Sequence, residues 1–161
     1  ISKVKKGKLA GLTAPVHNGR IAERGDMLPV ATKTALNILG NSDKGFFLMV
    51  EGSQVDWGGH ASSTRYIVEE MLDFDKVIGE ALEFAEKDGE TLIIVTADHE
   101  TGGMAITGGD MKKGVVIGSY PTTDHTAVMV PIFSYGPGAQ ELTGIIENTD
   151  VFVKMKKLLI D

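Results

Sequence analysis

The chain contains no cysteine among its 161 residues. This excludes disulfide bridges, thiolate nucleophiles and zinc fingers built on cysteine. It does not decide the compartment, because secreted bacterial proteins often lack cysteine as well.

Long apolar runs are also absent. The longest, FFLMV (46–50) and LIIVTA (92–97), have the length of strands, whereas a membrane span needs about 18 apolar residues. Lysines occur close to the start, but no apolar stretch of sufficient length follows them, so no signal peptide is recognisable in the chain. The sequence therefore predicts neither a membrane span nor a leader.

Positive charge is in deficit, since the formal net charge is −6. A nucleic-acid-binding surface is therefore not favoured. With 42% hydrophobic residues the chain can bury a core, and its length fits one domain. We expect residues 1–161 to form a single unit without an internal repeat or linker. Because the first residue is Ile1 rather than methionine, we expect a processed chain or a piece of a longer one.

Hydrophobic patterning in the first part of the chain predicts alternating strands and helices. Residues 8–14 and 45–50 are predicted strands, and a helix is predicted over 28–40, ending at Gly40. A long amphipathic helix is predicted from about His60 to Lys87, followed by a buried strand at 91–97. Strand, helix and strand of these lengths predict a right-handed crossover in a parallel sheet.

The last part of the chain is predicted to add three strands and a helix. Two short strands are expected at 104–107 and 115–120, and another at 130–136. The final helix is predicted from about Thr149 to Leu159. Its inward face is expected to consist of Val151, Phe152, Met155, Leu158 and Leu159.

Three short acid–histidine motifs are the most informative feature of the sequence. The chain has only four histidines, and three of them lie beside carboxylates, in VEGSQVDWGGH (50–60), TADHETGG (96–103) and TTDHTA (122–127). Carboxylate oxygen and imidazole nitrogen together are ligands that zinc accepts. The pattern therefore indicates a polynuclear metal centre.

The predicted positions of these motifs support that interpretation. Glu51 and the pair Asp98–His99 directly follow predicted strands, where binding groups gather in parallel sheets. Asp56 and His60 are four residues apart, so they share a face if a helix begins near residue 56. Asp98 and His99 are adjacent, and they converge only where the strand has ended and the chain turns.

Each motif alone has a simpler explanation. Glu51 fits a strand-end carboxylate, Asp56 a helix N-cap, His60 a surface histidine, Asp98–His99 a turn, and His125 a loop cap. Their joint occurrence favours the metal centre. His17 has no acidic neighbour and is not assigned to the site. Phosphate-binding loops, dinucleotide-binding glycine motifs and the paired-histidine helix of zinc proteases are absent from the sequence.

At these residues the chain closely resembles the alkaline phosphatases. The resemblance extends over about residues 7–160 and includes GFFLMVEGSQVDWGGH, TADHETGG, DHTA and VPIFSYGPGA. It implies the C-terminal portion of an α/β three-layer sandwich with a mainly parallel sheet. It also implies a magnesium ligand and the ligands of two zinc ions: Glu51 for magnesium, Asp56, His60 and His125 for the first zinc, and Asp98 and His99 for the second. The resemblance also implies two supporting roles. Trp57 is expected to tune the site without being a ligand, and Thr126 to support His125 rather than react.

The resemblance also implies what is missing. In the family, the serine nucleophile, a bridging aspartate, a threonine ligand and a phosphate-clamping arginine lie upstream of the matching part, and nothing in residues 1–45 matches them. We assign no such role to the candidates present: Ser2, Ser42, Arg20, Arg24 and Arg65. The chain is therefore expected to supply metal ligands without the covalent machinery, and to be inactive alone.

The expected activity of the complete family member is hydrolysis of small phosphomonoesters through a phosphoserine intermediate, with zinc and magnesium as cofactors. The resemblance further implies a homodimer and a periplasmic or extracellular compartment. Two alternatives remain open: another superfamily metalloenzyme (a sulfatase, nucleotide pyrophosphatase or phosphomutase), or a non-catalytic metal-binding module.

Overall fold

The computed structural model describes residues 3–160, which form five α-helices, six strands and one 3-10 turn. The helices are α1 (Ile21–Arg24), α2 (Met27–Leu39), α3 (Gln54–His60), α4 (Thr64–Asp88) and α5 (Asn148–Ile160). The strands are β1 (Ile93–Thr96), β2 (Glu100–Thr101), β3 (Ala105–Asp110), β4 (Val115–Ser119), β5 (His125–Thr126) and β6 (Ile132–Tyr135). The 3-10 turn spans Ala139–Leu142.

Helix α2 confirms the helix predicted at 28–40 and packs against α4. Its buried face includes Leu36 and two threonines, Thr32 and Thr34. Each threonine hydroxyl donates to the carbonyl one turn earlier, at 2.9 Å and 2.8 Å, so neither is buried without a partner.

Helix α4 confirms the long helix predicted from about His60 to Lys87, but it begins at Thr64, and Asp56 and His60 lie on a separate short helix, α3. The helical conformation is interrupted after α3, where Ser62 has a φ of 47°. Helix α4 begins after Ser63, whose hydroxyl accepts from the Tyr66 N–H. Gly89, in the left-handed region, ends α4 as predicted. Because Ser53 is the N-cap of α3, Asp56 lies within the first turn of that helix and not at its cap.

The buried face of α4 contains a charged cluster that the apolar pattern did not predict. Glu70 and Asp73 are buried, and Arg24 donates to them at 2.6 Å and 2.8 Å. The Ile21 N–H also donates to Glu70, at 2.8 Å. Burial lowers the pKa of Arg24, but the hydrogen bonds to Glu70 and Asp73 outweigh burial, and the pKa is raised above its ordinary value. This cluster fixes α1 to α4.

The strand pairing corrects the predicted parallel sheet. In the part of the chain that the structure describes, the strands form three antiparallel pairs: β1 with β6, β2 with β5, and β3 with β4. Strands β1, β3, β4 and β6 confirm four of the predicted strands, but residues 8–14 and 45–50 form none.

The segment at 45–50 shows why the pattern was misleading. Alternate side chains there are half-buried, whereas Phe47 and Met49 are 59% and 76% exposed. Its apolar residues reflect contact on one face, but within residues 3–160 the segment has no ladder partner, and the strand partner of β1 is β6.

Helix α5 confirms the final helix, but its predicted inward face is only partly covered. Val151 and Met155 are half-buried, whereas Phe152, Leu158 and Leu159 are exposed. The helix packs against the 3-10 turn, where the Lys154 ammonium donates to the Glu141 carbonyl at 2.6 Å. One short turn is too small to cover the whole apolar side of a 13-residue helix. Among the helices of residues 3–160, none is long and apolar enough to cross a membrane.

Candidate metal centre

Helix α3 and the β2–β5 pair bring three of the predicted ligands together. Asp56 and His60 are one turn apart on α3, and His125 lies on β5 opposite Thr101 of β2. One potential ligand atom from each residue lies within 4.8 Å of the other two. We call Asp56, His60 and His125 the Asp56 cluster.

The donor atoms of the Asp56 cluster face one another. The Nε2 atoms of His60 and His125 are 3.2 Å apart, and they lie 3.4 Å and 3.6 Å from the two Asp56 carboxylate oxygens. The His60 side chain is 42% exposed and that of His125 is 50% exposed, so the cluster is open to solvent. Such a site can hold a cation and still admit another ligand.

A backbone carbonyl sets the tautomer of His60. Its Nδ1 lies 2.5 Å from the Thr123 carbonyl oxygen, which can only accept, so Nδ1 carries the proton. The Nε2 atom therefore keeps its lone pair and faces His125 and Asp56. This is the arrangement that metal-binding histidines adopt, and the donor set fits zinc.

Asp98 and His99 converge as predicted for residues beyond the end of a strand. Strand β1 ends at Thr96, and the Asp98 Oδ2 atom then lies 3.4 Å from the His99 Nε2 atom. The His99 ring stacks on His125, with 3.6 Å between the ring centroids. The predicted second ligand pair therefore lies directly against the Asp56 cluster.

Glu51 is not part of the Asp56 cluster. It is exposed and precedes α3, and no hydrogen bond or ion pair involves its side chain within residues 3–160. Its assignment as a magnesium ligand stays a prediction. His17 also lies apart from the cluster, with its ring centroid 4.5 Å from that of Trp57.

The sequence analysis missed two residues in the ETGG part of the second motif. The Thr101 hydroxyl lies 2.5 Å from Asp56 Oδ1 and 3.2 Å from His99 Nδ1. Glu100, pointing to the other side of β2, accepts from the Thr126 hydroxyl. The sequence offered one signal, which is that Glu100 and Thr101 directly follow Asp98 and His99. Because alternate residues of a strand face opposite sides, one of the two could be expected to face the predicted ligands.

Glu100, on β2, forms hydrogen bonds to β5 and to the turn that follows β2. Besides the Thr126 hydroxyl, it accepts from the N–H groups of Gly103 at 3.0 Å and Met104 at 3.3 Å. Burial raises the pKa of Glu100, but these hydrogen bonds outweigh it, and the pKa lies below its usual range. Through its hydrogen bond to Glu100, Thr126 therefore supports the β2–β5 pair that carries His125.

Comparison with known proteins gives one consistent family. The alkaline phosphatase family model matches residues 8–121. An alkaline phosphatase of Escherichia coli K12 is 34% identical over 156 residues, which cover 85% of this chain and 33% of the relative.

Solved structures show the same similarity. A mutant of the alkaline phosphatase from the Antarctic bacterium TAB5, with Mg bound in its M3 site, superposes with a TM-score of 0.80 at 41% identity, covering 88% of this chain and 44% of that one. A cold-active alkaline phosphatase from Shewanella sp. has a TM-score of 0.89 at 24% identity, covering 98% of this chain and 57% of that one, and shows the fold alone. The α/β fold expected from the resemblance is thus confirmed. The chain spans between 33% and 57% of the length of these relatives.

Proposed function

Because this chain belongs to the alkaline phosphatase family, we propose that it supplies the metal-binding part of a zinc- and magnesium-dependent phosphomonoesterase. The observation that supports this most directly is the Asp56 cluster, in which a carboxylate and two imidazoles converge from two separate elements. The family relatives are phosphatases by name, and the same activity is the proposal for the complete protein.

Asp56, His60 and His125 would hold the first zinc, and Asp98 and His99 would contribute to the second. When bound, such ions polarise phosphoryl oxygens and lower the pKa of a coordinated hydroxyl or water. The chain's own residues fix the ligands for that role. The Thr123 carbonyl holds the ring of His60, and the β2–β5 pair holds that of His125.

Glu51 is our candidate for a magnesium ligand. A carboxylate oxygen suits this hard ion, and Glu51 is exposed at the start of the loop that leads into α3. Mg is bound in the related TAB5 mutant structure. A magnesium role for Glu51 requires other oxygen ligands, which the family supplies from its upstream part.

We propose that the chain alone does not turn over phosphomonoesters. In the family the nucleophile serine lies upstream of the matching part, and neither serine in residues 1–45 has its sequence context: Ser42 lies in the turn after α2, and Ser2 lies outside the described residues. Without the family's nucleophile serine, we expect no phosphoseryl intermediate to form on this chain.

The experiment combines zinc stoichiometry with a rate measurement. The purified 161-residue chain is loaded with zinc, dialysed, analysed for metal and assayed with p-nitrophenyl phosphate. We expect zinc to be retained with an Asp56-dependent stoichiometry and the hydrolysis rate to equal the protein-free background. Zinc-dependent hydrolysis would refute the inactivity, and absence of Asp56-dependent zinc would refute the metal-binding role.

The partners and the compartment are part of the same proposal. Small phosphomonoesters are the substrates, because a metal pair open to solvent contacts the phosphate and little else. A homo-oligomer is proposed from the family and from the strand edges that have no partner within residues 3–160. The periplasm or the extracellular space is proposed from the resemblance alone.

A further inference from the structure

The Thr101 hydroxyl lies between the two groups of predicted metal ligands. Its Oγ1 atom is 2.5 Å from Asp56 Oδ1 and 3.2 Å from His99 Nδ1, and the side chain is partly buried. Asp56 belongs to the first group and His99 to the second. A single oxygen atom therefore contacts one ligand of each predicted zinc ion.

Counting protons gives the direction of both hydrogen bonds. The threonine hydroxyl has one hydrogen, and the Asp56 carboxylate can only accept, so the hydroxyl donates to Asp56. The other contact then requires His99 Nδ1 to be the donor. Both hydrogen bonds therefore have the same direction. The His99 Nδ1–H donates to the Thr101 oxygen, and the Thr101 O–H donates to Asp56.

This direction fixes the tautomer of His99. In the neutral ring, a proton on Nδ1 leaves the lone pair on Nε2, which faces the Asp98 carboxylate at 3.4 Å. Two acceptors at this separation repel each other unless a cation lies between them. Two acceptors also face each other in the Asp56 cluster, because the His60 Nε2 lone pair lies 3.4 Å from the Asp56 carboxylate.

We propose that Thr101 is a positioning residue that couples the two zinc sites by orienting Asp56 and fixing His99 as an Nε2 ligand. This inference rests on the proposed function. The stacking of His99 on His125 supports it, because the ring is held parallel to a ligand of the other site. The pairing of Thr101 with His125 on β5 further ties the hydroxyl to the same strand pair.

The test compares Thr101→Val, which keeps the shape and removes the hydroxyl, with Thr101→Ser, which restores it. Thr107→Val is the matched control, since Thr107 lies on β3, on another strand pair. The first readout is the nitrogen-15 shifts of the His99 ring in the metal-free chain, about two pH units above the ordinary histidine pKa of about 6.5. The second is zinc titration by calorimetry in the same variants.

We expect Nδ1–H at His99 in the wild type, in T101S and in T107V, and a shift towards Nε2–H in T101V. Zinc affinity of the Asp56 cluster in T101V should fall by about 10- to 100-fold, as for other partners of metal ligands. In T101S and T107V the affinity should stay close to wild type. Changes in packing alone would not move the tautomer.

Three results would overturn the coupling: Nε2–H at His99 in the wild type, unchanged zinc affinity in T101V, or an equal loss in T101S and T101V. The first can be measured even if T101V does not fold. A wild-type chain that has the expected tautomer but binds no zinc would refute the proposed function while leaving the orientation of His99 by Thr101 intact.

Discussion

Gly59 and Thr101 approach each other so closely that no side chain fits between them. A Cβ atom on Gly59 would lie 2.7 Å from the Thr101 carbonyl oxygen and 2.9 Å from the Thr101 Cβ atom. This approach lets α3 lie directly on β2, and it brings Asp56 within reach of the Thr101 hydroxyl. The second glycine of the WGGH motif is therefore part of the metal centre's geometry.

Substituting Gly59→Ala should force α3 and β2 apart, because the new methyl group would meet the Thr101 backbone carbonyl, which cannot rotate away. We expect the free energy of unfolding to fall by about 1–3 kcal/mol, as for other overpacked sites. Zinc affinity should fall as well, because the Asp56–Thr101 contact is lost. Chemical denaturation and zinc titration measure the two effects.

Gly79→Ala is the control for this substitution. Gly79 lies inside α4 with open space around its missing Cβ, so alanine should raise the stability by about 0.5–1 kcal/mol through helix propensity. Its zinc affinity should not change. Equal behaviour of the two alanine variants would show that the close approach at Gly59 is unimportant.

The candidate site could be predicted because residue types that bind metals occur close together in short motifs. Residue type and spacing placed Asp56 and His60 on one helix face, and the structure brings His125 to them. The supporting residues were harder to find. Thr101 acts through a hydroxyl, and Gly59 through the absence of a side chain, and neither property marks a residue as part of a site before the neighbouring element is known.

The fold was predictable where the pattern is local and not where it depends on distant partners. Periodicity placed α2 and α4 correctly because their contacts repeat along one face. The strand at 45–50 failed because apolar residues indicate burial but not which backbone they pair with. Glu70 and Asp73 were missed for the converse reason, since they occupy inward positions of α4 where Arg24, from a distant part of the sequence, compensates their charge.

Removing Arg24 should destabilise the chain strongly. Arg24→Met removes the hydrogen-bonded cation of two buried carboxylates, and only the more distant Lys76 ammonium, at 3.9 Å, remains beside the fully buried Asp73. Breaking such a pair costs about 3–5 kcal/mol. Thermal and urea unfolding should both show the loss, and a smaller change than about 1 kcal/mol would contradict the structural role.

A triple substitution tests whether the cost is electrostatic. Arg24→Met combined with Glu70→Gln and Asp73→Asn removes all three charges at similar volume. Because buried ion clusters are often replaceable by neutral groups at little cost, we expect the triple variant to recover part of the stability lost in the single one. A triple variant less stable than Arg24→Met would point to shape and hydrogen bonding instead.

The chain should associate as its concentration rises. Within the described residues, β1 and β6 each have one strand partner, and on β6 Phe133 and Tyr135 are 63% and 45% exposed. Unpaired strand edges with apolar side chains favour association. Light scattering should show an increasing mass, and Phe133→Thr should reduce it.

Ile145→Thr is the control for association, since Ile145 is 87% exposed but lies outside the strands. It should associate like the wild type. A monomer at every concentration would contradict the proposed homo-oligomer, and equal effects of the two threonine variants would remove the strand edge as its cause.

Zinc should stabilise the folded chain through the Asp56 cluster. A ligand that binds only the native state at about 100 times its dissociation constant adds about 2.7 kcal/mol to the free energy of unfolding. We expect the melting temperature to rise on adding zinc and to return on adding a chelator. Asp56→Asn and His125→Asn should each abolish most of the rise, because three ligands are needed to hold the ion against water. His17→Asn removes the one histidine outside the three motifs, and its zinc-dependent rise should match that of the wild type. A rise that survives Asp56→Asn, or that disappears in His17→Asn, would place the zinc elsewhere on the chain.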